Sequence, residues 1–244
     1  MADLRPYPHH VRITAQGQTL AQTTSGVLHR HGYAPDIYLP RADAIAAHPA
    51  MRSGAPVDPS LADHVTFDFD SVETYVDGAL VRGHVRDPLK VITVHPVSER
   101  LEVMVDGAPL VDTHAALELL ETGLPPRFYV PPGDVDQTRL VPSERVSVCT
   151  YKGDAAYHHV QTQHGMLENA VWTYAAPWTD FAQDIGRIAG HLGLYTSVMD
   201  AVLLNGVPRD AAAEADADAA MIANPTVDQT LKARPSLVRT DRRR

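Results

Sequence analysis

The segment VCTYKGDAAY, residues 148–157, contains the only cysteine of the chain, Cys149, and one of its three lysines, Lys152. A thiolate is a strong nucleophile, and a nearby ammonium group lowers the pKa of the thiol that forms it. A lysine can also anchor an anionic group or form an imine. We therefore treat Cys149 and Lys152 as candidate catalytic residues.

The spacing of this pair decides whether the two side chains meet. In a continuous strand, side chains at positions i and i+3 point to opposite faces. The sequence Tyr151-Lys152-Gly153-Asp154 is typical of a turn, however, and Gly153 tolerates a positive φ that would bring Lys152 round. In the alternative interpretation Cys149 is a small buried apolar residue and Lys152 caps a turn at the surface. Arginine supplies nearly all the other basic residues, and this bias favours a specific role for Lys152.

A second candidate, Arg127, follows the pair Pro125-Pro126. The stiff diproline would pre-position its guanidinium for two-point binding of a carboxylate or phosphate. The alternative is an internal salt bridge with Glu118 or Glu121. These two carboxylates are also acid–base candidates, although neither has a sequence environment that would raise its pKa.

Aromatic residues accompany these positions. Trp172, Tyr174 and Trp178 form a cluster that contains both tryptophans of the chain. Such a cluster can line a pocket for a ring or apolar ligand, or it can pack the core of a small β unit. The residues that we assign to substrate binding are Arg127, Tyr129, Tyr151, Trp172, Tyr174 and Glu121.

Histidines are frequent but scattered. His29 and His31 are spaced i and i+2, on one face of a strand, as in β-barrel metal sites that add a third histidine and a carboxylate from distant strands. The corresponding residues in the second half of the chain are Leu120-Glu121-Thr122, so the motif is not shared. His158-His159 would point to opposite faces of a strand. We predict no metal and no other cofactor.

The composition limits the class of protein. The formal net charge of −9 argues against general nucleic-acid binding, which needs clustered Lys and Arg; the basic run RTDRRR at residues 239–244 is typical of a solvated chain end. One cysteine cannot form an internal disulfide. The segment MADLRPYPHH lacks the apolar region of a secretory signal, and no apolar run approaches the roughly 18 residues of a membrane span. We expect a soluble cytoplasmic protein that binds neither nucleic acid nor membrane.

An internal repeat organises the chain. Residues 11–43 align with residues 101–134, and residues 59–75 align with residues 142–157. The first copy has Asp68 where the second has Cys149, Ser71 where it has Lys152, and Asp36 where it has Arg127. We therefore predict a degenerate first unit over 8–95, a site-bearing second unit over 96–207 and a flexible tail over 208–244. The linker before the second unit contains His84, Arg86 and Asp87. These residues could cover the pocket of the second unit or simply hold the linker in place.

Turn signals predict mainly β structure in both units. Asp106-Gly107 and Asn205-Gly206 are typical of hairpin turns, and RFYVP and RVSVCTY are typical of short strands. Only residues 179–188 suggest a helix, with Thr179 or Asp180 as its N-cap. Beyond Asp210 the strand pattern is lost, and we predict a frayed helix followed by a disordered tail.

Three segments carry a family resemblance: ETGLPPRFYVPPGDV, then CTYKGDAAY, then WTYAAPW. Their motifs and order resemble the family called domain of unknown function 427, over most of residues 8–207. The resemblance implies small, mostly β units of the tent or barrel kind with few helices. It implies no settled reaction, and the nucleotidyltransferase label attached to the family is not supported by a phosphate-binding loop or a metal-binding acidic pair. Thr150 stands where the family pattern has proline, which relaxes the turn after Cys149.

Two functions remain open at this point. In the first, the protein is an enzyme that acts on a small anionic cytosolic metabolite: Arg127 and Lys152 hold its charge, and Cys149 or a nearby carboxylate does the chemistry. In the second, the same pocket belongs to a non-catalytic ligand-binding or assembly module. In both functions the expected partner is a small molecule, and the sequence leaves a homo-oligomer open. In a third, purely structural interpretation, Cys149 and Lys152 contribute to stability and nothing else.

Overall fold

The computed structural model describes residues 2–31, 34–210 and 214–223 of the chain. Contacts within the chain divide it into two compact units, of which the first ends at Leu89 and the second begins at Lys90. The division lies before the predicted position at 95/96, because Ile92–Pro96 forms a strand that pairs with Leu117–Glu121 of the second unit.

The first unit is built from short antiparallel strands. Among its described residues the strands are β1 (Asp3–Tyr7), β2 (Val11–Ala15), β3 (Gln18–Thr23), β4 (Gly26–Arg30), β5 (Asp36–Pro40), β6 (Met51–Ser53), β7 (His64–Phe67), β8 (Glu73–Val76) and β9 (Ala79–Leu80). They form a five-stranded sheet, β1-β4-β5-β7-β6, and a four-stranded sheet, β3-β2-β8-β9. Short 3₁₀ helices span Arg41–Asp43, Pro59–Leu61 and Phe69–Ser71. Apolar residues of both sheets, such as Val11, Leu28 and Val65, form the core.

The second unit has a larger sheet. Its strands among the described residues are β10 (Ile92–Pro96), β11 (Leu101–Val105), β12 (Ala108–Thr113), β13 (Leu117–Glu121), β14 (Arg127–Val130), β15 (Leu140–Cys149), β16 (Gly153–Thr162), β17 (Gly165–Thr173), β18 (Leu192–Leu194), β19 (Ala201–Leu204) and β20 (Val207–Pro208). The sheets run β10-β13-β14-β18-β17-β16-β15 and β12-β11-β19-β20. Helical segments are the 3₁₀ helices Pro132–Asp134, Gln137–Arg139, Gln183–Ile188 and Thr196–Val198, and the α-helix α1 (Ala215–Ala223).

The seven-stranded sheet has apolar clusters packed on both of its faces, and strand alternation sorts the side chains between them. On β14, Phe128 packs in one apolar cluster with Val103 and Val202 of the four-stranded sheet. The next residue, Tyr129, packs in another cluster with Ile185 of the 3₁₀ helix. This second cluster is the one that receives the candidate site residues.

The prediction of a mainly β protein is confirmed. Asp106 and Gly107 have φ angles of 55° and 71°, as the predicted hairpin turn requires. The helix predicted over 179–188 is shorter, a 3₁₀ helix at Gln183–Ile188 whose N-cap, Ala182, has no side chain that accepts a hydrogen bond. Without a capping side chain, so short a segment gains little from α-helical bonds.

At the C-terminal end the described residues contain β20 and α1. α1 lies where a frayed helix was predicted, whereas the disordered tail predicted beyond it falls outside the described residues. No described helix has the length and apolar character that crossing a membrane demands.

The two units share an order of strand pairing. The hairpin β2–β3 pairs with β8, and the hairpin β11–β12 pairs with β19. In the sequence alignment, by contrast, Tyr75 of β8 stands over Tyr157, which lies in β16 between β15 and β17. The aligned tyrosines therefore do not occupy equivalent strands, because among the described residues the second unit has four strands, β15–β18, where the first unit has two, β6 and β7.

Candidate functional site

The sequence-predicted site residues converge on one face of the seven-stranded sheet. Tyr129, Cys149, Tyr151, Trp172 and Tyr174 all belong to the apolar cluster on that face. They reach it because β14, β15 and β17 are members of one sheet and present alternate side chains to each side. Residues predicted separately along the chain thus share one environment.

Lys152 lies at the turn between β15 and β16 and points into this face. Gly153 has a φ of 97°, a conformation that glycine adopts readily and that other residues rarely do. Lys152 is only 7% exposed, so it is not a surface turn cap. Its ammonium group forms an ion pair with Oε2 of Glu121, the last residue of β13.

A second lysine completes the cluster. Nζ of Lys90 lies 3.0 Å from Oε1 of Glu121 and 5.6 Å from the ring centre of Tyr151. Two of the three lysines of the chain therefore meet on one buried carboxylate. We call Lys90, Glu121 and Lys152 the lysine cluster.

Electrostatics keep Lys152 and Glu121 ionised. Burial would lower the pKa of Lys152, but its interactions with Cys149, Glu121 and Tyr129 outweigh burial and hold that pKa above its ordinary value. Burial would raise the pKa of Glu121, but Lys152 and Lys90 hold it below its ordinary value. Glu121 is thus a counter-ion rather than a proton donor, and Lys152 favours binding an anion over the neutral amine that an imine needs.

An aromatic wall stands beside the cluster. Nε1 of Trp172 donates a hydrogen bond of 3.1 Å to the hydroxyl of Tyr129, and the ring of Trp172 lies 4.5 Å from that of Tyr195. Burial raises the pKa of Tyr129 to about 12, so its phenol is neutral near pH 7. Gly193 on β18 lets the wall form, since a Cβ there would lie 2.5 Å from the indole of Trp172.

Cys149 is a free, buried thiol in the same apolar cluster. It lies close enough to Lys152 to interact with the ammonium group electrostatically, so the pair predicted from the sequence does share an environment. Trp178 supports the turn instead: its backbone N–H donates to the carbonyl of Lys152 at 3.1 Å, and its ring packs against Gly153.

Arg127 has carboxylate partners that the sequence did not suggest. Its salt bridges go to Glu214, at 3.7 Å, and to Asp218, rather than to the predicted alternatives Glu118 or Glu121. Its guanidinium also lies 5.6 Å from the ring centre of Tyr195. Tyr195 therefore links Arg127 to the aromatic wall.

The residues that sequence reasoning missed are Lys90, Tyr195, Glu214 and Asp218. Lys90 had a signal, because the same scarcity of lysine that singled out Lys152 applies to it. Glu214 and Asp218 lie in an alanine-rich acidic segment without strand pattern, which gives no hint that their carboxylates become buried.

A group that could hold a metal ion lies in the first unit. Ligand atoms of His29, His31 and Asp36 lie within 4.8 Å of one another, and Nε2 of His31 is 2.8 Å from Oδ2 of Asp36. The carboxylate comes from the adjacent strand β5, which pairs with β4 at His29, and not from a distant strand. Two imidazoles and one carboxylate suit a divalent transition metal.

The first unit also has an open groove of about 420 Å³. Its lining includes Tyr7, Gly26 and Leu61 and is mostly apolar. None of the predicted site residues belongs to it, so it does not bear on the lysine cluster.

Comparison with known proteins identifies a family. A family model described as a domain of unknown function (DUF427), with a nucleotidyltransferase-like name, matches residues 3–56 and 93–205. These residues include Glu121, Arg127 and Lys152, whereas Lys90 and α1 lie outside the match. A search of curated proteins gave no significant match. Because the family model covers more than half of the chain, the chain belongs to the DUF427 family, as its motifs predicted.

Proposed function

We propose that this DUF427 protein is an enzyme that acts on a small anionic metabolite at the lysine cluster of its second unit. The observation that carries the proposal is the meeting of Lys90 and Lys152 on the single buried carboxylate of Glu121. Burying charges costs several kcal/mol for each ion unless they are well paired. Such arrangements are concentrated at functional sites.

Two ammonium groups meet at one carboxylate in the lysine cluster. A bound anion, or ionisation of the thiol of Cys149, would add negative charge beside these cationic groups. Both outcomes suit catalysis, because the first recruits an anionic substrate and the second creates a nucleophile.

The surroundings of the cluster give the ligand a further property. Tyr129, Trp172 and Tyr195 present ring faces and edges next to the cationic groups. Pockets of this composition hold the apolar or planar part of a ligand and use a few polar groups to orient it. We expect a ligand with an anionic group and a compact apolar or planar body; phosphates, which the name of the family model would suggest, form one class to test.

A non-catalytic binding module is the second candidate, and one observation favours it. Cys149 is only 7% exposed, whereas reactive cysteines are commonly accessible to their substrates. In this case the same lysines would bind an anion without converting it.

A metabolite screen tests the proposal. Carboxylates and phosphates are added to the wild type, to Lys152→Met and to Arg41→Met, a control that removes one positive charge from an exposed site of the first unit. We expect at least one anion to raise the melting temperature of the wild type and the control but not of Lys152→Met. Equal responses of all three proteins to every anion would contradict the proposal.

Mass-spectrometric detection of product then separates the two candidates. For an enzyme that uses the thiol, Cys149→Ser abolishes turnover of the stabilising ligand while the melting temperature changes little. For a binding module, no product forms with any variant, and only the affinity depends on Lys152.

A further inference from the structure

We propose that Arg127, Thr196 and Ser197 form a second anion subsite, and that Glu214 and Asp218 of the C-terminal segment fill it as an internal substitute for ligand. The inference deepens and rests on the proposed function, because it assigns a second anionic group to the same ligand. It also makes the C-terminal segment a competitor of that ligand.

The contacts of the two carboxylates are those expected for a bound anion. Asp218 forms an ion pair with the guanidinium of Arg127 and accepts a hydrogen bond of 2.5 Å from the hydroxyl of Ser197. The backbone N–H of Ser197 also donates to Asp218, at 3.3 Å. Glu214 accepts a hydrogen bond from the hydroxyl of Thr196 and pairs with Arg209. Cations, hydroxyls and a backbone N–H together are the donors that proteins offer to carboxylates and phosphates.

These carboxylates are removed from water almost completely. Asp218 is 0% exposed and Glu214 is 2% exposed. Glu214 directly precedes α1. Among the α1 residues whose burial is described, Ala215 to Ala219, Asp218 is buried and the others are exposed or half-buried. The described part of α1 is therefore held by its carboxylates and not by an apolar seam.

A helix of this length depends on such contacts. α1 has nine residues, whereas an isolated helix in water needs about 12–15 residues to be even marginally stable. If an external anion took the place of the two carboxylates, the described part of α1 would lose the buried contacts that hold it. Competition between ligand and helix follows directly.

The subsite is continuous with the lysine cluster. The guanidinium of Arg127 lies over Tyr195, Tyr195 packs against Trp172, and Trp172 donates to Tyr129. Tyr129 in turn lies close enough to Lys152 to interact with it electrostatically. Cationic groups thus stand at both ends of one aromatic wall. A ligand that carries two anionic groups on a compact body matches this arrangement.

The family match supports the division between core and competitor. It ends at residue 205, so it includes Arg127, Thr196 and Ser197 but neither Glu214 nor Asp218. The donors of the subsite belong to the family core, whereas the carboxylates that fill it are supplied by the segment that follows.

Anion titrations of the full-length chain test the inference. Inorganic phosphate and succinate are titrated, at constant ionic strength, into the wild type, the double variant Glu214→Ala/Asp218→Ala, and the control Asp216→Ala, which removes an exposed carboxylate from the same helix. Because a tethered group competes at an effective concentration in the millimolar range, we expect the double variant to bind at least one probe about tenfold more tightly than the other two proteins. The probe with the larger gain identifies phosphate or carboxylate as the preferred group.

Adding Arg127→Gln to the double variant should abolish the gain. Equal affinity of the wild type, the control and the double variant would overturn the inference, and so would a gain that survives Arg127→Gln. A gain that persists with Lys152→Met, while no anion binds at the lysine cluster, would reject the proposed function but leave this inference intact.

Hydrogen exchange of the wild type gives a test that needs no substitution. Peptides that cover α1 should exchange faster as phosphate or succinate is added, because the displaced helix loses its backbone protection. Exchange that is unchanged, at probe concentrations that saturate the double variant, would show that α1 is a fixed structural element and would overturn the inference.

Discussion

The two units place a charged side chain at the same point of their strand order, and its sign is reversed. β4 ends at Arg30 and β13 ends at Glu121, and each strand lies between an earlier and a later strand of its own unit. Each charge is held by two opposite charges: Arg30 by Asp3 and Asp87, and Glu121 by Lys90 and Lys152.

The two clusters differ in how far their side chains are exposed to solvent. The side chains of Arg30, Asp3 and Asp87 are 25%, 39% and 12% exposed, so water screens part of their attraction. The side chain of Glu121 is 2% exposed, so every charge beside it must be paired inside the protein. The same strand order thus carries a partly exposed ion pair in the first unit and a buried one in the second. We place the function in the buried cluster, because a contribution to stability alone does not explain why its charges are buried.

The largest expected effect comes from removing the central charge of each cluster. Glu121→Gln leaves two buried ammonium groups without their carboxylate and should lower the free energy of unfolding of the second unit by about 3–5 kcal/mol. Arg30→Gln should cost less, because Arg30 itself and its partner Asp3 are partly open to solvent. Urea unfolding followed by tryptophan fluorescence reports the second unit selectively, since Trp172 and Trp178 both lie there.

Far-UV circular dichroism, which records strands of both units, follows Arg30→Gln in the same titrations. Equal losses of stability in the two variants would mean that burial does not distinguish the clusters. The reason for placing the function at Glu121 rather than at Arg30 would then be lost.

The next effect concerns the aromatic wall of the second unit, in which Trp172 of β17 lies beside Gly193 of β18. Gly193→Ala would place a Cβ 2.5 Å from the ring of Trp172, and overpacking of this kind costs about 1–3 kcal/mol. Gly133→Ala is the matched control, since nothing lies within 4 Å of its added Cβ. If the two glycine variants unfold at the same urea concentration, the close contact at Gly193 is not a constraint on the wall.

A smaller effect separates the tyrosines that the repeat alignment superimposes. The hydroxyls of Tyr157 and Ser147 form a buried hydrogen bond of 2.9 Å, so Tyr157→Phe should cost about 1 kcal/mol. Tyr75→Phe should change stability little, because its hydroxyl reaches Glu73 only at 3.5 Å in a half-exposed position. Thermal unfolding of both variants measures the difference, and an equal loss would contradict their assignment to different environments.

The smallest difference between the units is expected in the pH dependence of their stability, because each unit has a carboxyl group whose pKa is lowered. Lys152 and Lys90 lower that of Glu121 against burial, and a hydrogen bond from Arg5 lowers that of Asp3. A carboxyl group with a lower pKa in the folded state binds fewer protons there, so its contribution to stability is present above the unfolded pKa and is lost as the pH falls through the folded one.

Salt distinguishes the two contributions. We expect stability to fall below about pH 4.5 in both units, with added NaCl weakening the exposed contribution of Asp3 more than the buried one of Glu121. Acid titrations at low and high salt, with Glu121→Gln as reference, measure this. An equal salt sensitivity of both units would contradict the difference in burial.

Local features were predictable from the sequence. Asp106-Gly107 and Asn205-Gly206 set hairpin turns because their backbones adopt positive φ. Gly153 predicted the turn that carries Lys152 inward for the same reason. Lys152 itself could be singled out from the composition, because lysine is so scarce in this chain.

Contacts between distant parts of the chain were not predictable. No local spacing relates Glu121 to Lys152, and their meeting depends on β13 and β15 belonging to one sheet. The aromatic wall likewise depends on Gly193 lying beside Trp172 across two strands. The docking of Asp218 on Arg127 joins the helix α1 to the strand β14, and neither the residue types nor their spacing in the sequence predict it.

The central claim is that the lysine cluster binds an anion, and the affinity of Lys152→Met for the most stabilising anion of the screen tests it most directly. Isothermal titration of the wild type, Lys152→Met and Arg41→Met gives three dissociation constants. Loss of a charge-assisted hydrogen bond, worth about 1.5–3 kcal/mol, predicts a weakening of at least about tenfold for Lys152→Met alone. Equal dissociation constants in all three proteins, or no anion that binds the wild type, would contradict the account.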